Sequence, residues 1–130
     1  MLADTTFLID FLRGEERARN RMKKLDFHCI FTTEINVFEL ATGAHLTKEN
    51  ASLHLQKLSV LFTKMTVLSL DRKSSLKAGA IAGKLLKEGK TIPETDCLIA
   101  GIALANGIKE IITADSAHFS RIPEVKVISY

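Results

Sequence analysis

The chain has 130 residues, 46% hydrophobic and 25% charged, which excludes intrinsic disorder and suits a single domain over residues 1–130. Net charge is only +3. The longest run of apolar residues and glycine, Cys97 to Ala105, is far short of the ~20 residues of a membrane-spanning helix. No basic segment followed by an apolar stretch opens the chain, so a soluble cytoplasmic protein with no membrane association is expected.

Met1-Leu2-Ala3 reads as a short strand ending at Asp4. A turn at Asp4 to Thr6 follows, then a buried helix through Phe7-Leu8-Ile9-Asp10-Phe11-Leu12 terminated by Gly14. From Glu15 to Leu25 acids precede bases, an order that suits the helix dipole, so a second, exposed helix is expected. Phe27 to Phe31 is apolar and β-prone, with Thr32-Thr33 ending that strand. Apolar residues at 37, 40, 41 and 44 give Glu34 to Ala44 a helical period, with Thr33 as N-cap. Glu49 to Thr63 is helical by the same criterion, and Met65 to Leu70 is a strand. Asp71 caps a long helix from about Lys73 to Lys87, ended by Gly89. Pro93 opens a helix that runs to Asn106, with Gly107 as its C-cap. Glu110 to Thr113 and Val125 to Ser129 are the last strands. Apolar strands alternating with helices predict an α/β fold with a central, mainly parallel sheet covered on both faces.

Ligands in such folds gather beyond the carboxyl ends of strands, near a topological switch point. Asp4 follows the first strand, and Asp115 lies two residues beyond Thr113. Asp96 is in the first turn of the helix opened by Pro93, and Glu39 lies about a turn and a half into its helix. Each Asp has an ordinary alternative as a helix cap or first-turn acid. Glu39, beside Phe38 and Leu40 and in line with Ile35, is harder to explain as a solvated surface acid. Glu34 and Asp10 read as surface and peripheral acids.

Four carboxylates in one cleft repel and take up protons unless cations compensate. Oxygen donors of this kind select Mg²⁺ or Mn²⁺, one or two ions, over zinc. An acidic site that meets a polyanion also needs a basic rim. Arg13, Arg17, Arg19, Arg21, Lys23 and Lys24 form one basic stretch, and 72–90 holds six basic residues against Glu88. Both can serve RNA or can be solvated helix faces. Cys29 and Cys97, in apolar surroundings and without CxxC spacing, are expected as buried free thiols. The four histidines show no zinc-ligand spacing.

Four segments together carry a family likeness: Leu2-Ala3-Asp4-Thr5-Thr6-Phe7-Leu8-Ile9-Asp10, Glu39-Leu40-Ala41-Thr42-Gly43, Ile92-Pro93-Glu94-Thr95-Asp96-Cys97-Leu98-Ile99-Ala100 and Thr113-Ala114-Asp115-Ser116-Ala117-His118-Phe119. In this order the chain resembles the PIN-domain ribonucleases, most closely the VapC-type toxins of type II toxin–antitoxin pairs. The resemblance implies a three-layer α/β/α sandwich. It implies that Asp4, Glu39, Asp96 and Asp115 are the catalytic, metal-binding acids of an Mg²⁺- or Mn²⁺-dependent endoribonuclease. Thr113 matches a supporting hydroxyl; Thr6 stands where the family usually has Asn or Ser, so its supporting role is altered. His118 and Phe119 recur in the pattern and are expected to pack. A homodimer and a small antitoxin partner are implied as well, and Arg13 is a candidate contact for RNA or for that partner.

Two alternatives on the same fold stay open: an RNA-processing nuclease without an antitoxin, and a catalytically weak RNA-binding or scaffold module. A haloacid-dehalogenase-type phosphatase would need a second Asp where Thr6 stands. A dinucleotide-binding domain would need glycines after the first strand, and Asp4-Thr5-Thr6 has none.

Overall fold

Side chains along a strand alternate between the two faces of a sheet, so a strand covered on both sides feeds two cores. The computed structural model of the chain describes residues 1–47 and 50–130. Its strands are β1 (Leu2–Ala3), β2 (Phe31–Thr33), β3 (Thr66–Leu68), β4 (Glu110–Ile112) and β5 (Lys126–Ile128). All pairings are parallel, in the order β3-β2-β1-β4-β5. Leu2 and Ile111 join one core with Ile81, Leu85, Ile99 and Ala103. Ala3 and Ile112 join the other with Phe7, Leu8, Met22 and Leu61.

Helices supply the outer layers. On the Ala3 side lie α1 (Thr5–Arg13), α2 (Glu16–Lys23) and α4 (Ala51–Phe62); on the Leu2 side lie α5 (Arg72–Lys87), α6 (Glu94–Ala105) and α7 (Ser116–Phe119). Between the first group and the second in chain order comes α3 (Glu34–Leu46), which touches α1, α4 and α6. The covered sheet expected from the alternation is therefore observed, as the three-layer sandwich that the resemblance implies. Among the described residues, no helix is long and apolar enough to cross a membrane.

Strand order creates the switch point. The chain steps outward from β1 to β2 and β3, then returns to lay β4 on the other side of β1. The carboxyl ends of β1 and β4 thus part toward opposite halves of the chain, and the crevice between them is where such sheets bind ligands. Asp4 N–H donates to the Ile112 carbonyl at 3.0 Å, so the backbone at this crevice is still paired.

Several boundaries move. Phe27–Cys29 is a 3₁₀ turn, not the start of β2, because the Asp26 carboxylate accepts the His28 N–H and holds the backbone in a turn. The strand instead takes in Thr32 and Thr33. Both are buried, and the Thr32 hydroxyl donates to the Ala3 carbonyl across the sheet. No turn separates Asp4 from the first helix, which begins at Thr5. The helix expected from Glu49 begins at Ala51, with Asn50 as its N-cap; Glu49 lies outside the described residues. α2 buries only Ala18 and Met22, four residues apart on its inner face, with Arg21 half-buried beside them. Cys29 is exposed, because the 3₁₀ turn carries it out of the sheet; Cys97 is buried, and both are free thiols.

The α5–α6 crossing depends on one glycine. A Cβ on Gly101 would lie 2.6 Å from Ala78 Cβ and 2.8 Å from its Cα. No side chain fits there without moving the backbone of α5.

Candidate functional site

Asp4 occupies the N-cap position of α1 but makes no capping hydrogen bond. Its carboxylate, 4% exposed, turns into the crevice instead. The Thr113 and Thr6 hydroxyls donate to Oδ2 at 2.8 and 3.0 Å, and the Asn36 amide donates to Oδ1 at 3.2 Å. Each donor is itself held. Thr113 accepts the Asp115 N–H, Thr6 accepts the Ala114 N–H, and the Asn36 carbonyl oxygen accepts from the Thr33 N–H and hydroxyl. All these donors are neutral. They orient the carboxylate and leave its charge uncompensated.

Glu39 reaches the same region from α3 by accepting a hydrogen bond from the Thr5 hydroxyl. Thr5 is in turn positioned by the Asn36 amide at 2.9 Å. Asn36 therefore orients Asp4 directly and Glu39 through Thr5. The local fold provides for this: Thr33 and Asn36 form a capping box at the start of α3, which fixes the amide.

Asp96 and Asp115 arrive from α6 and from the loop after β4. Asp115 also stands at an N-cap position without capping its helix. By contrast, Asp26 and Asp71 do cap theirs. His118 Nδ1 lies 2.8 Å from Asp96 Oδ2 and 2.9 Å from Asp115 Oδ2. The three side chains offer ligand atoms all within 4.8 Å of one another, a group able to hold a metal ion. Burial pushes the Asp96 carboxyl up to about 6, against the pull of the His118 hydrogen bond; the negative charges of Asp4 and Glu39 push the same way as burial. A carboxylate raised by burial and by other carboxylates is what a divalent cation would relieve. The donor set of oxygens and one imidazole fits such an ion.

The four acids singled out in the sequence thus face one crevice. Arg13 lines a groove whose lining includes none of them, between α1, α3 and α4 with Ile9, Leu12, Leu40 and Leu58, a space of about 310 Å³. Asp10 accepts the Tyr130 hydroxyl at 2.7 Å, a peripheral contact, and Glu34 is exposed. Phe119 packs in the core as expected; His118 is half-buried and turns Nδ1 to two carboxylates instead of serving packing alone. The sequence carried one signal for it: three residues after Asp115, it lies on the same helix face. Asn36 and Thr5 were missed, because a buried Asn inside a capping box looks fully employed.

Comparison with known proteins follows from this geometry. Residues 1–125 match the PIN domain family. The chain is 37% identical over 99 residues to the ribonuclease VapC3 of Methanocaldococcus jannaschii, covering 76% of this chain and 93% of that one. The chain is a PIN-domain protein of the VapC ribonuclease family. A second VapC relative, the tRNA(fMet)-specific endonuclease of Salmonella typhimurium, is 26% identical over 98% of the chain and 94% of its own length. Among solved structures, VapBC2 of Rickettsia felis bound to a promoter DNA fragment superposes with a TM-score of 0.88 at 21% identity, covering 99% of this chain and 97% of that one. FitAcB of Neisseria gonorrhoeae gives 0.86 at 22%, covering 98% and 95%. At these identities the structural likeness bears on the fold alone. In this PIN domain the Thr6 hydroxyl both donates to Asp4 and accepts from the chain after β4.

Proposed function

We propose that this VapC-family chain cleaves RNA phosphodiesters at the crevice formed by Asp4, Glu39, Asp96 and Asp115, using Mg²⁺ or Mn²⁺. The observation that carries the reading is Asp96. A half-buried carboxyl, raised to about 6 by burial and by the charges of Asp4 and Glu39, is poorly arranged for a bare protein and well arranged for one that binds a cation. When bound, the divalent ion lowers the pKa of a coordinated water and neutralises phosphate charge. The protein's part is orientation. Thr6, Thr113 and Asn36 fix both oxygens of Asp4, Thr5 fixes Glu39, and His118 fixes Asp96 against Asp115.

The partner reading is that of a toxin held by a small antitoxin, with the chain itself a homodimer. The VapBC and FitAB toxin–antitoxin assemblies that share the fold support the antitoxin partner. An Arg or Lys of the antitoxin inserted into the crevice would supply the positive charge that the carboxylates lack. Arg13, in the largely apolar α1–α3–α4 groove, suits a contact to that partner more than to the scissile phosphate.

The test is cleavage of a structured RNA with Mg²⁺ or Mn²⁺, against an EDTA control and an Asp4→Asn variant. Wild type should cut, and Asp4→Asn should lose at least about a hundredfold, that is about 3 kcal/mol or more of transition-state stabilisation. Equal cutting by both would trace the activity to a contaminant and remove the assignment. Co-purification with the product of a short neighbouring gene tests the antitoxin, and light scattering tests the dimer.

A further inference from the structure

His118 brings one nitrogen against two carboxylates: Nδ1 is 2.8 Å from Asp96 Oδ2 and 2.9 Å from Asp115 Oδ2. A neutral ring nitrogen either shares its single proton between both oxygens or turns a lone pair toward both. Neither arrangement satisfies three such groups as fully as a cation among them. Ligands at right angles on an ion with bonds of about 2.1 Å stand about 3 Å apart. Both observed separations fit that edge, and the three ligand atoms lie within 4.8 Å of one another. The backbone that carries the ring is anchored, because Phe119, the next residue of the short α7, is fully buried. Its side chain is still 32% exposed, so an ion from solvent can reach it.

We propose that His118 Nδ1 is a direct metal ligand beside Asp96 and Asp115, and that it makes the site favour Mn²⁺ over Mg²⁺. This rests on the reading of the carboxylate crevice as a divalent-metal site. The chemistry is one of donor type. Mg²⁺ takes oxygen ligands and gives up water reluctantly, whereas imidazole suits the first-row transition ions. A site of carboxylates alone separates the two ions weakly; one nitrogen among the donors tilts it.

The experiment loads the metal-free protein with Mn²⁺ and records its electron spin-echo modulation, alongside Mn²⁺ and competing Mg²⁺ binding. Wild type should show ¹⁴N modulation, and His118→Ala should lose it. The ratio of the Mg²⁺ to the Mn²⁺ dissociation constant should fall about tenfold in the variant. A residue that merely orients a ligand also changes metal affinity, by about 10–100-fold, but for both ions alike. Mn²⁺ bound without a nitrogen signal, or a ratio unchanged in the variant, overturns the role of His118 and leaves the metal site standing. No Mn²⁺ binding at all overturns both. If His118→Ala does not fold, the wild-type spectrum decides, and His118→Asp serves as the second variant, with binding restored and the Mn²⁺ preference gone.

Discussion

Replacing Asp96 with Asn tests whether the crevice is strained by its own charge. The wild-type carboxyl rises from 3.8 to about 6 on folding, and its side chain is 15% exposed. A difference of about two units corresponds to about 3 kcal/mol. The sign follows from the direction: a carboxyl raised on folding contributes stability that is full below pH 3.8 and is lost as pH rises through about 6. Asp96→Asn does not titrate, so the metal-free variant should match wild type near pH 4. It should then draw ahead between pH 4 and 6, and hold an advantage of up to about 3 kcal/mol above that. For a chain of this size that is roughly a 10 °C gain in melting temperature. The opposing effect is the first-turn position of Asp96 in α6, where the helix dipole favours a carboxylate by about 0.3–1 kcal/mol. That is smaller than the cost of burial. Thermal melts by circular dichroism in EDTA from pH 4 to 8 would measure the difference, and Mn²⁺ should reverse the order by stabilising wild type alone. A variant that melts lower than wild type at pH 8 in EDTA would refute the reasoning. Asp96 would then be a first-turn acid that the fold needs.

Three further outcomes follow from the hydrogen bonds and packing. Thr113→Val removes a donor to Asp4 at nearly constant shape and should lower RNA cleavage about 10–100-fold while leaving the circular dichroism spectrum unchanged. Gly101→Ala drives a methyl into the backbone of Ala78. Despite a helix-propensity gain of about 1 kcal/mol, it should cost a net ~1–3 kcal/mol in urea denaturation. Tyr130→Phe strips the donor from Asp10 but keeps the edge-on contact with Phe7; it should cost about 1 kcal/mol by the same assay, with cleavage unaffected.

Much of this was legible in the sequence because it rests on local signals. Alternating apolar strands and helices specify a parallel sheet, and Asp4 and Thr113 sit where strands end. Glu39 interrupts an apolar helix face, a position that marks it as a candidate. What escaped depends on contacts between distant segments. Asn36 satisfies a capping box through its carbonyl oxygen, and nothing local reveals that its amide faces Asp4 from 32 positions away. His118 precedes a core phenylalanine and so resembled packing, because its second carboxylate comes from Asp96, 22 positions earlier. The start of β2 was misplaced because one carboxylate, that of Asp26, outweighs the β-propensity of Phe27 to Cys29.

The laying of β4 against β1 has a consequence for synthesis. The Thr113 hydroxyl that holds Asp4 comes from 109 positions downstream. A chain emerging from the ribosome exposes Asp4, Thr6, Asn36 and Glu39 early, yet Asp96 and Asp115 follow only near the end. Contacts of such long separation form late, once loop closure has been overcome. Until β4 docks, the nascent chain lacks the Thr113 support of Asp4, and Asp115 follows only after that strand. The crevice of four acids is therefore complete only after residue 115 of 130 has been made.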